Sequence, residues 1–597
     1  MFENRRDPGL SREFVGAWMV TLVVGVFGLI VTSHHVPDVR DRVVVTRPLP
    51  GRQPSESGAP GPRGGAVTTS SADNLPPICD AVADSASLHR LRRPGPPPMG
   101  LNYHAEAASK RVRHNEMPAL DFGGARRRNL PARSNELPPV RVRSTGREMS
   151  RPPMSAMSDS TTPLDRARQA MIATGQWDAS QAMGRSWPIG CVALEITQRC
   201  NLDCAACYLS EHSQGVKDLP LEEVFRRIEM IRDRYGAHTD VQVTGGDPTL
   251  RRTDELLAIV RRIEGLGMRP SLLTNGIRAS RELLVRLAEA GLVDVAFHVD
   301  ITQRRKGYRT EGELNALRQT YIERARGLPL SVFFNTTVCD ENFDQLPEVL
   351  AFLVGHSDVV RLAAFHPQAQ TGRGVLGPRS PRITTGSVIS QIERGAAARL
   401  SFDTAHIGHS RCNRYAMAFV VNGRVYDVLD NKRLYELLLA RTVGSYFDRR
   451  SSRRAVMTFL ARLLRNPDVV FYGSGWFAAK LWRMRRDLVA AHGRVNKLSF
   501  LVHNFMDTCS LEKQRLDACV FMAATKDGPI SMCLHNALRD NFILDPVPLQ
   551  KPDGEWYWNP LSGATTRERI PDRGAPAGGR LRRRSRPAPS RRAETAD

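Results

Sequence analysis

Three closely spaced cysteines are the residues of this sequence best placed to do chemistry. Cys200, Cys204 and Cys207 follow one another in the spacing C-x3-C-x2-C within EITQRCNLDCAACYLS. Thiolates this close together bind a soft metal centre, such as zinc or an iron–sulfur cluster. Structural zinc takes four ligands, yet the nearest further candidate, His212, stands five residues beyond Cys207. A cubane cluster can be held by three thiolates, which leaves one iron open to a small molecule. The missing fourth ligand therefore favours an iron–sulfur site.

The elements that must position these cysteines alternate between strand and helix. From residue 190 to 366, six short apolar runs, beginning with CVALEIT at 191–197, are separated by amphipathic segments of helical length. Such alternation with short connections predicts a parallel sheet that forms an open or closed barrel. Ligands of these folds gather at the carboxyl ends of the strands, which is where the three cysteines lie.

Glycine-rich and polar sequences end the next two predicted strands. TGGDPT, residues 244–249, ends the second, and Thr274 and Asn275 stand in the TNG that ends the third. Paired glycines let a ligand approach the backbone, because no Cβ is in the way. The alternative for TNG is an ordinary polar turn. Both sequences are expected at the same edge of the sheet as the cysteines.

The fourth predicted strand, LVDVAFHVD, has an apolar and a polar face. Side chains alternate along a strand, so the valines share one face with Phe297, and the other face carries Asp294, Ala296, His298 and Asp300. Because the apolar face must meet the surrounding helices, His298 and Asp300 are predicted to face the barrel interior. The alternative is a histidine satisfied within the core. On the fifth strand, a weaker version of the pattern is given by Asn335 and Thr337.

Together, the cysteine spacing and the alternating elements resemble the radical S-adenosylmethionine (SAM) superfamily. The resemblance implies a partial (β/α)6 barrel, with a 4Fe–4S cluster bound by Cys200, Cys204 and Cys207. It also implies SAM as a second cofactor, bound at the open iron through its amino and carboxylate groups. An electron from the cluster would split SAM into methionine and a 5′-deoxyadenosyl radical, which abstracts hydrogen from a substrate. This chemistry implies a reductant such as flavodoxin or ferredoxin and a catalytic domain on the cytoplasmic side.

The same resemblance assigns SAM-side residues. Gly245, Gly246, Asp247 and Pro248 match the family's GGE motif, although aspartate stands where glutamate is usual. Tyr208 supplies the aromatic residue that often follows the third cysteine. The other candidates for cofactor binding come from the strand ends described above, and they are Thr274, Asn275, His298, Asp300 and Asn335.

A second group of cysteines follows the predicted barrel, and its members are Cys412, Cys509, Cys519 and Cys533. With the sequences HNFMD, R-x-x-A-C and DGP-x-x-x-C, they look most like the tetraether lipid synthase type of the MoaA-like branch, in which later cysteines bind additional clusters. This likeness implies an auxiliary iron–sulfur cluster, with His535 as an alternative to Cys509. The chain departs from the type, because no cysteine-rich rubredoxin-like segment precedes residue 190. The remaining alternative is four buried apolar cysteines.

Composition and charge exclude several classes of protein and indicate how the chain is organised. The 597 residues carry a formal charge of +23, and their 10 cysteines are too sparse for a disulfide scaffold. With 41% hydrophobic and 25% charged residues, the chain is neither a polytopic membrane protein nor wholly disordered. Both ends are rich in Pro, Gly, Ser and Arg, which predicts disorder. The predicted parts are an arm at 1–155, the barrel at 156–375, a mostly helical extension at 376–570 and a basic tail at 571–597.

Two features of the sequence bear on whether the protein associates with a membrane. Residues 14–32 form an uncharged apolar run near the length that spans a bilayer, with a signal peptide or a misplaced start codon as alternatives. Between residues 431 and 502, basic helical segments pair an apolar stripe with an arginine-rich face. Such helices lie in a membrane interface or, alternatively, are ordinary domain helices with a solvated side.

The sequence therefore predicts an α/β radical SAM enzyme that attacks an unactivated C–H bond, with a lipid as the suggested substrate. The nearest alternative is a radical SAM enzyme that modifies a peptide or a nucleic-acid base. A non-catalytic iron–sulfur electron carrier is a further alternative, although it would not need the SAM-side residues. An arginine-rich nucleic-acid binder is disfavoured, because the core region has no basic patch interleaved with aromatic residues.

Overall fold

The computed structural model describes residues 161–569. The predicted N-terminal arm with its apolar run at 14–32, and the basic tail, lie outside the described residues. The described part begins with a short helix, α1 (Pro163–Ala173), whose first turn is capped by the side chain of Thr162.

Six parallel strands alternate with helices, as the sequence pattern predicted. The strands are β1 (Cys191–Thr197), β2 (Asp240–Gly245), β3 (Arg269–Thr274), β4 (Asp294–His298), β5 (Ser331–Val338) and β6 (Val360–Pro367). The helices between them are α2 (Leu221–Tyr235), α3 (Thr253–Gly265), α4 (Arg281–Glu289), α5 (Glu311–Ala325) and α6 (Leu346–Gly355). The strands pair in chain order, so their carboxyl ends form a single edge.

The helices bury apolar stripes against one face of these strands. In α2, Val224, Ile228 and Ile231 are fully buried at helical spacing. They belong to the same core as Val295 and Phe297 of β4, which also have no exposed surface. The opposite face of the strands lines the barrel interior, as the alternation in β4 predicted.

The C-terminal extension adds strands to both edges of this sheet. Beside β6 it contributes β9 (Asn496–His503), followed outward by β7 (Asn413–Val421) and β8 (Arg424–Asp427). Beside β1 it contributes β10 (Phe521–Thr525) and then β11 (Gly528–Ser531). β9 runs parallel to β6 and β10 runs parallel to β1, whereas β7 and β11 are antiparallel to them. The strand order of the sheet is β11-β10-β1-β2-β3-β4-β5-β6-β9-β7-β8. Strands of the extension thus join the barrel sheet. The sequence predicted a mostly helical extension and did not predict these added strands.

The remaining elements of the extension are helices and one small sheet. The helices are α7 (Thr385–Ala396), α8 (Lys432–Arg441), α9 (Ser452–Leu464), α10 (Pro467–Ala490), α11 (Lys513–Asp517), α12 (Met532–Ala537) and α13 (Arg539–Ile543). The small antiparallel sheet consists of β12 (Val547–Lys551), β13 (Gly554–Trp558) and β14 (Thr565–Thr566). None of the helices in the described range has the length and hydropathy needed to cross a bilayer.

Candidate active site

The three cysteines lie on a loop of residues 198–209, here called the cysteine loop, which leaves the carboxyl end of β1. Two other parts of the barrel mouth hold this loop through its backbone. The amide of Ala205 donates to the carbonyl of Thr302 after β4, at 2.7 Å. On the other side, Gly374 and Val375 donate to the carbonyls of Cys207 and Ala205, at 3.0 and 2.8 Å. The loop conformation is therefore fixed by tertiary contacts from the segments after β4 and β6.

Donor groups surround the thiols of the cysteine loop. The amide nitrogen of Leu202 lies 3.5 Å from the Cys200 sulfur, and Asn275 Nδ2 lies 3.9 Å from it. The guanidinium of Arg373 donates to the carbonyl of Leu202 at 3.2 Å, and, although burial opposes it, its attraction to the Cys207 thiolate favours a raised pKa of Arg373. Burial raises the pKa of the Cys200 and Cys204 thiols, so as free groups they are protonated at neutral pH. Thiolate ligands of a cluster accept such donors, so these surroundings fit an iron–sulfur centre.

The paired glycines at the end of β2 permit a very close backbone packing. A Cβ on Gly245 would lie 1.9 Å from the carbonyl oxygen of Thr197, and one on Gly246 would lie 2.0 Å from that of Arg199. Gly245 also has a φ of +126°, which favours glycine. The amide of Gly246 donates to the Thr197 carbonyl at 2.9 Å. The glycines are thus required to seat the start of the cysteine loop, whatever ligand they also meet.

Asp247 is fully buried, and its carboxylate is occupied by the protein itself. It accepts hydrogen bonds from the amide and the hydroxyl of Thr249, at 3.0 and 2.5 Å, in the turn that begins with Pro248. It also accepts from the Thr274 hydroxyl at 2.9 Å and from the Asn275 amide at 2.9 Å. The aspartate therefore joins the ends of β2 and β3. This fixes Asn275, whose Nδ2 donates to Asn201 Oδ1 in the cysteine loop at 2.6 Å.

Tyr208 connects the cysteine loop to a buried ion pair. Its hydroxyl donates to the carbonyl of Gly245 at 2.5 Å, and the Arg539 guanidinium lies over its ring at 4.7 Å. Arg539 of α13 makes two hydrogen bonds to Glu195 of β1, at 2.8 and 2.9 Å. Burial opposes ionisation of Glu195, but Arg539 and neighbouring donors hold its pKa at about 2. An arginine of the extension thus supports the aromatic residue beside the cysteines.

His298 and Asp300 form a pair at the end of β4. His298 Nε2 lies 2.7 Å from Asp300 Oδ2 and 3.1 Å from the Thr337 hydroxyl. Asp300 is fully buried and also accepts from the amides of Thr302 and Thr337, at 2.9 and 2.8 Å. Burial raises its pKa, but His298 and these donors outweigh burial, so the pKa of Asp300 is lowered. Asn335, also predicted at the site, is the register partner of His298 on β5.

Three of the four later cysteines line a single pocket, here called the second cysteine pocket. Cys412 precedes β7, Cys519 precedes β10 and Cys533 lies in α12, yet all three line it together with His503 and Phe521. The guanidinium of Arg515 donates to the Cys412 sulfur at 3.2 Å. A thiol set with a cationic donor fits a second iron–sulfur centre.

The structure does not place the fourth predicted ligand in this pocket. Cys509 is exposed on the loop between β9 and α11 and does not line the second cysteine pocket. Its neighbour Thr508 is bound through its amide to the carbonyl of Gln370 at 3.0 Å, which directs this part of the loop to the segment after β6. His535, the alternative ligand, packs instead beside Glu195. The chain thus brings three thiols together at each of its two cysteine sites.

Among residues 161–569, no three His, Cys, Asp or Glu side chains are placed so that they could bind one metal ion together. The thiols of the two cysteine sites are therefore not arranged as ligands of a single ion. The ligands of a cubane bind different irons, so they need not surround one point.

A model of the Radical SAM superfamily matches residues 194–353, from β1 to α6. The GTP 3′,8-cyclase of Streptomyces coelicolor is 30% identical over 246 residues, which cover 39% of this chain and 68% of that relative. The chain belongs to the radical SAM superfamily. Its similarity to GTP 3′,8-cyclases agrees with the predicted MoaA-like branch, whereas the likeness to the tetraether lipid synthase type stays a prediction.

Other relatives match this radical SAM chain over shorter parts of their own length. The 7,8-dihydro-6-hydroxymethylpterin dimethyltransferase of Methanocaldococcus jannaschii is 28% identical over 186 residues, 30% of this chain and 36% of the relative. The PqqA peptide cyclase of Bradyrhizobium diazoefficiens is 30% identical over 220 residues, 36% of this chain and 57% of the relative. The similarity is thus concentrated in a part of each protein, and the named activities differ.

Several residues of the radical SAM barrel mouth were not found from the sequence. Arg373 and Arg539 reach the cysteine loop from distant segments, and no local pattern marks either of them among the many arginines. Arg515 is the arginine of R-x-x-A-C, but its contact with Cys412 was not predicted. His366 and His503 end β6 and β9, and burial lowers the pKa of His366 to about 4 and that of His503 well below its usual range. Strand alternation could have identified His366, since it follows the same rule as His298.

Proposed function

We propose that the chain is a radical SAM enzyme with its 4Fe–4S cluster on Cys200, Cys204 and Cys207. The observation that carries this proposal is the placement of the three thiols on one loop at the barrel mouth, beside the amide donors of Leu202 and Asn275. When bound, the cluster and SAM supply a 5′-deoxyadenosyl radical that abstracts hydrogen from a C–H bond. Membership of the radical SAM superfamily supports this chemistry.

Residues of the chain itself orient the cofactors. Backbone hydrogen bonds from the segments after β4 and β6 hold the cysteine loop, and Tyr208 ties it to the end of β2. Asp247 has its carboxylate committed to Thr249, Thr274 and Asn275, so we assign it a positioning role. SAM contacts at this motif would then fall to backbone groups.

Polar side chains on the interior face of β4 and β5 are candidates for contact with SAM or substrate. His298 is partly exposed, while Asp300 behind it is fully buried and fixes the ring through Nε2. A buried ionised carboxylate held this way orients its partner histidine. We propose that this pair, with Asn335, forms the wall that faces the reacting atoms.

The substrate is proposed as a molecule with an unactivated C–H bond, with a lipid as the first candidate. The support is the likeness of the later cysteines to the tetraether lipid synthase type and the aromatic lining beside the second cysteine pocket, where Phe505 and Phe521 pack on His503. A peptide is the second candidate, because one relative is named a PqqA peptide cyclase.

We further propose that the second cysteine pocket holds an auxiliary iron–sulfur cluster bound by Cys412, Cys519 and Cys533. Its support is the convergence of three thiols from separate elements beside Arg515. A flavodoxin or ferredoxin would supply electrons to the enzyme.

The deciding experiment is anaerobic reconstitution with iron and sulfide, followed by SAM and a reductant. Formation of 5′-deoxyadenosine that is lost in a Cys200/Cys204/Cys207→Ala variant, and kept in a Cys339→Ala control, would establish the activity. About eight irons per chain, against about four, would support two clusters. A chain that takes up its full iron yet never cleaves SAM would overturn the enzyme proposal in favour of an electron carrier.

A further inference from the structure

The large exposed hydrophobic side chains of the described residues are concentrated in one part of the extension. Ten such residues are exposed in residues 161–569, and seven of them lie between residues 443 and 489. Six of the seven are on α9 and α10, which follow one another with only Arg465 and Asn466 between them. Single exposed apolar residues are ordinary, but a cluster on one helical pair is a mark of a binding surface.

Helix α10 carries three large apolar side chains on its exposed side. Phe471, Trp482 and Val489 are 88%, 67% and 79% exposed. Their spacing of eleven and seven residues places them on one side of an α-helix. The opposite side is buried and includes two charged residues, Lys480 and Asp487. An ordinary domain helix would show the reverse arrangement.

The buried charges of α10 have partners that fix this orientation. Lys480 Nζ donates to the carbonyl of Asp427 at 2.5 Å and to Asp430 Oδ2 at 2.6 Å. Asp487 accepts hydrogen bonds from Tyr426 and Asn422. Rotation of the helix to bury Phe471 and Trp482 would break these bonds and would expose Met484. The outward position of the apolar stripe is therefore built into the packing.

Helix α9 also carries exposed apolar side chains. Met457 and Leu464 are 58% and 60% exposed, and their spacing of seven residues places them on one side of the helix. The exposed positions next to them are basic, with Arg453, Arg454 and Arg465. Both helices therefore present an apolar stripe beside arginines.

The excess of basic residues on α9 and α10 indicates that their surface fits an anionic partner. Residues 451–494 contain nine Lys and Arg residues and two Asp residues. Arg453, Arg465, Arg485 and Arg486 are all exposed, and none of them forms an ion pair with a carboxylate of the described residues. The guanidinium of Arg485 lies over the ring of Trp482 at 4.0 Å, which places a cation directly beside the apolar stripe.

We propose that α9 and α10 bind the surface of a lipid bilayer that contains anionic lipids. A helix that lies in the interface inserts an apolar side with Trp and Phe among the acyl chains, while Arg side chains reach the phosphates. The surface does not span the bilayer and requires no membrane-crossing helix. This proposal is independent of the substrate, because membrane binding and SAM cleavage are measured separately.

The test is co-sedimentation of the full chain with vesicles of phosphatidylcholine alone, and of phosphatidylcholine and phosphatidylglycerol in equal parts. We expect binding to the anionic vesicles and a loss of binding as salt is raised. Phe471→Ser with Trp482→Ser should weaken binding by about tenfold or more. Arg485→Gln with Arg486→Gln should weaken it by on the order of tenfold.

Matched variants separate this surface from general effects. Ile172→Ser removes an apolar side chain that is 55% exposed on α1, and Arg252→Gln with Arg399→Gln removes two exposed arginines elsewhere. These variants should bind as the unchanged chain does. The same substitutions are repeated in a variant that lacks residues 14–32, so that the apolar run there cannot mask the result.

Two results would overturn the proposal. In the variant that lacks residues 14–32, vesicle binding that is unchanged by the Phe471 and Trp482 substitutions would show that α10 does not contact lipid. A chain that is dimeric in light scattering, becomes monomeric with these substitutions and ignores vesicles would assign the surface to a second copy. Formation of 5′-deoxyadenosine in each variant reports separately on the folded active site.

Discussion

The two cysteine sites of this protein are built in opposite ways. Cys200, Cys204 and Cys207 lie within eight residues of one loop, and their spacing alone suggests a cluster. Cys412 precedes β7, Cys519 precedes β10 and Cys533 lies in α12, so these three cysteines line one pocket only through the tertiary fold. A local motif can be recognised from the sequence alone, whereas a site built from distant segments depends on the whole fold.

The supports of the two sites also differ. The cysteine loop is held mainly by backbone hydrogen bonds and by glycine contacts that leave no room for a Cβ. At the second cysteine pocket, the backbone amide of Asn504 donates to the Cys412 carbonyl at 2.8 Å, and a long side chain adds to this support. Arg515 contacts both the Cys412 sulfur and the carbonyl of Asn504, at 3.2 and 2.5 Å. Substitutions should therefore affect the two sites by different routes and to different extents.

The largest expected effect separates the two sites directly. Cys200→Ala should abolish SAM cleavage, because the remaining two thiols leave the cluster without a ligand. Cys412→Ala should instead lower the iron content by about half, from about eight irons to about four, and keep 5′-deoxyadenosine formation. Iron analysis and nucleoside assays after anaerobic reconstitution measure both. Cys509→Ala is the control that should keep all the iron; a loss there would return Cys509 to the ligand set.

The next effect tests the backbone support of the cysteine loop. Gly246→Ala would place a Cβ 2.0 Å from the Arg199 carbonyl, so the start of the loop must move. We expect loss of the first cluster's absorbance and of SAM cleavage, with the second centre retained. Gly265→Ala at the end of α3 is the matched control, because nothing lies within 4 Å of its added Cβ. Normal activity of Gly246→Ala would show that the loop tolerates displacement.

The buried pair between Glu195 and Arg539 should have a smaller but measurable effect on stability. Arg539→Met leaves Glu195 buried without its cation, which costs about 3–5 kcal/mol in the free energy of unfolding. The double variant Glu195→Gln/Arg539→Met should recover much of this loss. Denaturant unfolding measures both, and a double variant that is no more stable than Arg539→Met would contradict a direct coupling.

The contribution of the Glu195–Arg539 pair to the free energy of unfolding should depend on pH. The pKa of Glu195 is lowered from its ordinary 4.5 to about 2 in the folded chain. A lowered pKa means that the carboxylate stabilises the fold fully above pH 4.5, and this contribution is lost as the pH falls toward 2. The stability difference between the unchanged chain and the double variant should therefore shrink with acidification over this range.

The smallest effect contrasts two cationic residues of α11. Arg515 is buried, and Arg515→Met should cost about 1–3 kcal/mol, since the Asn504 carbonyl loses its donor, and should weaken iron binding at the second site. Lys513 is exposed, and its ion pair with Asp517 contributes no more than about 1 kcal/mol, so Lys513→Met should change neither property measurably. Equal losses from both substitutions would show that α11, rather than the Arg515 contact, matters.

Much of the barrel was predictable because its signals are local. Apolar runs of strand length separated by amphipathic helices gave the order β1 to β6, and alternation in LVDVAFHVD placed His298 and Asp300 on the interior face. The strands β9 and β10 were missed as barrel strands, because a short apolar run does not show which sheet edge it joins. The role of Asp247 was equally hidden, since its partners Thr274 and Asn275 lie at the end of another strand and just after it.

The sequence by itself determined the superfamily, the first cluster site and the succession of strands and helices, because each depends on residues close together in the chain. Only the tertiary structure decided which later cysteines meet, that Arg539 supports Tyr208, and that α10 turns Phe471 and Trp482 outward. Each of these depends on contacts between segments far apart in sequence, and such contacts are selected by the packing of the whole sheet rather than by any local pattern.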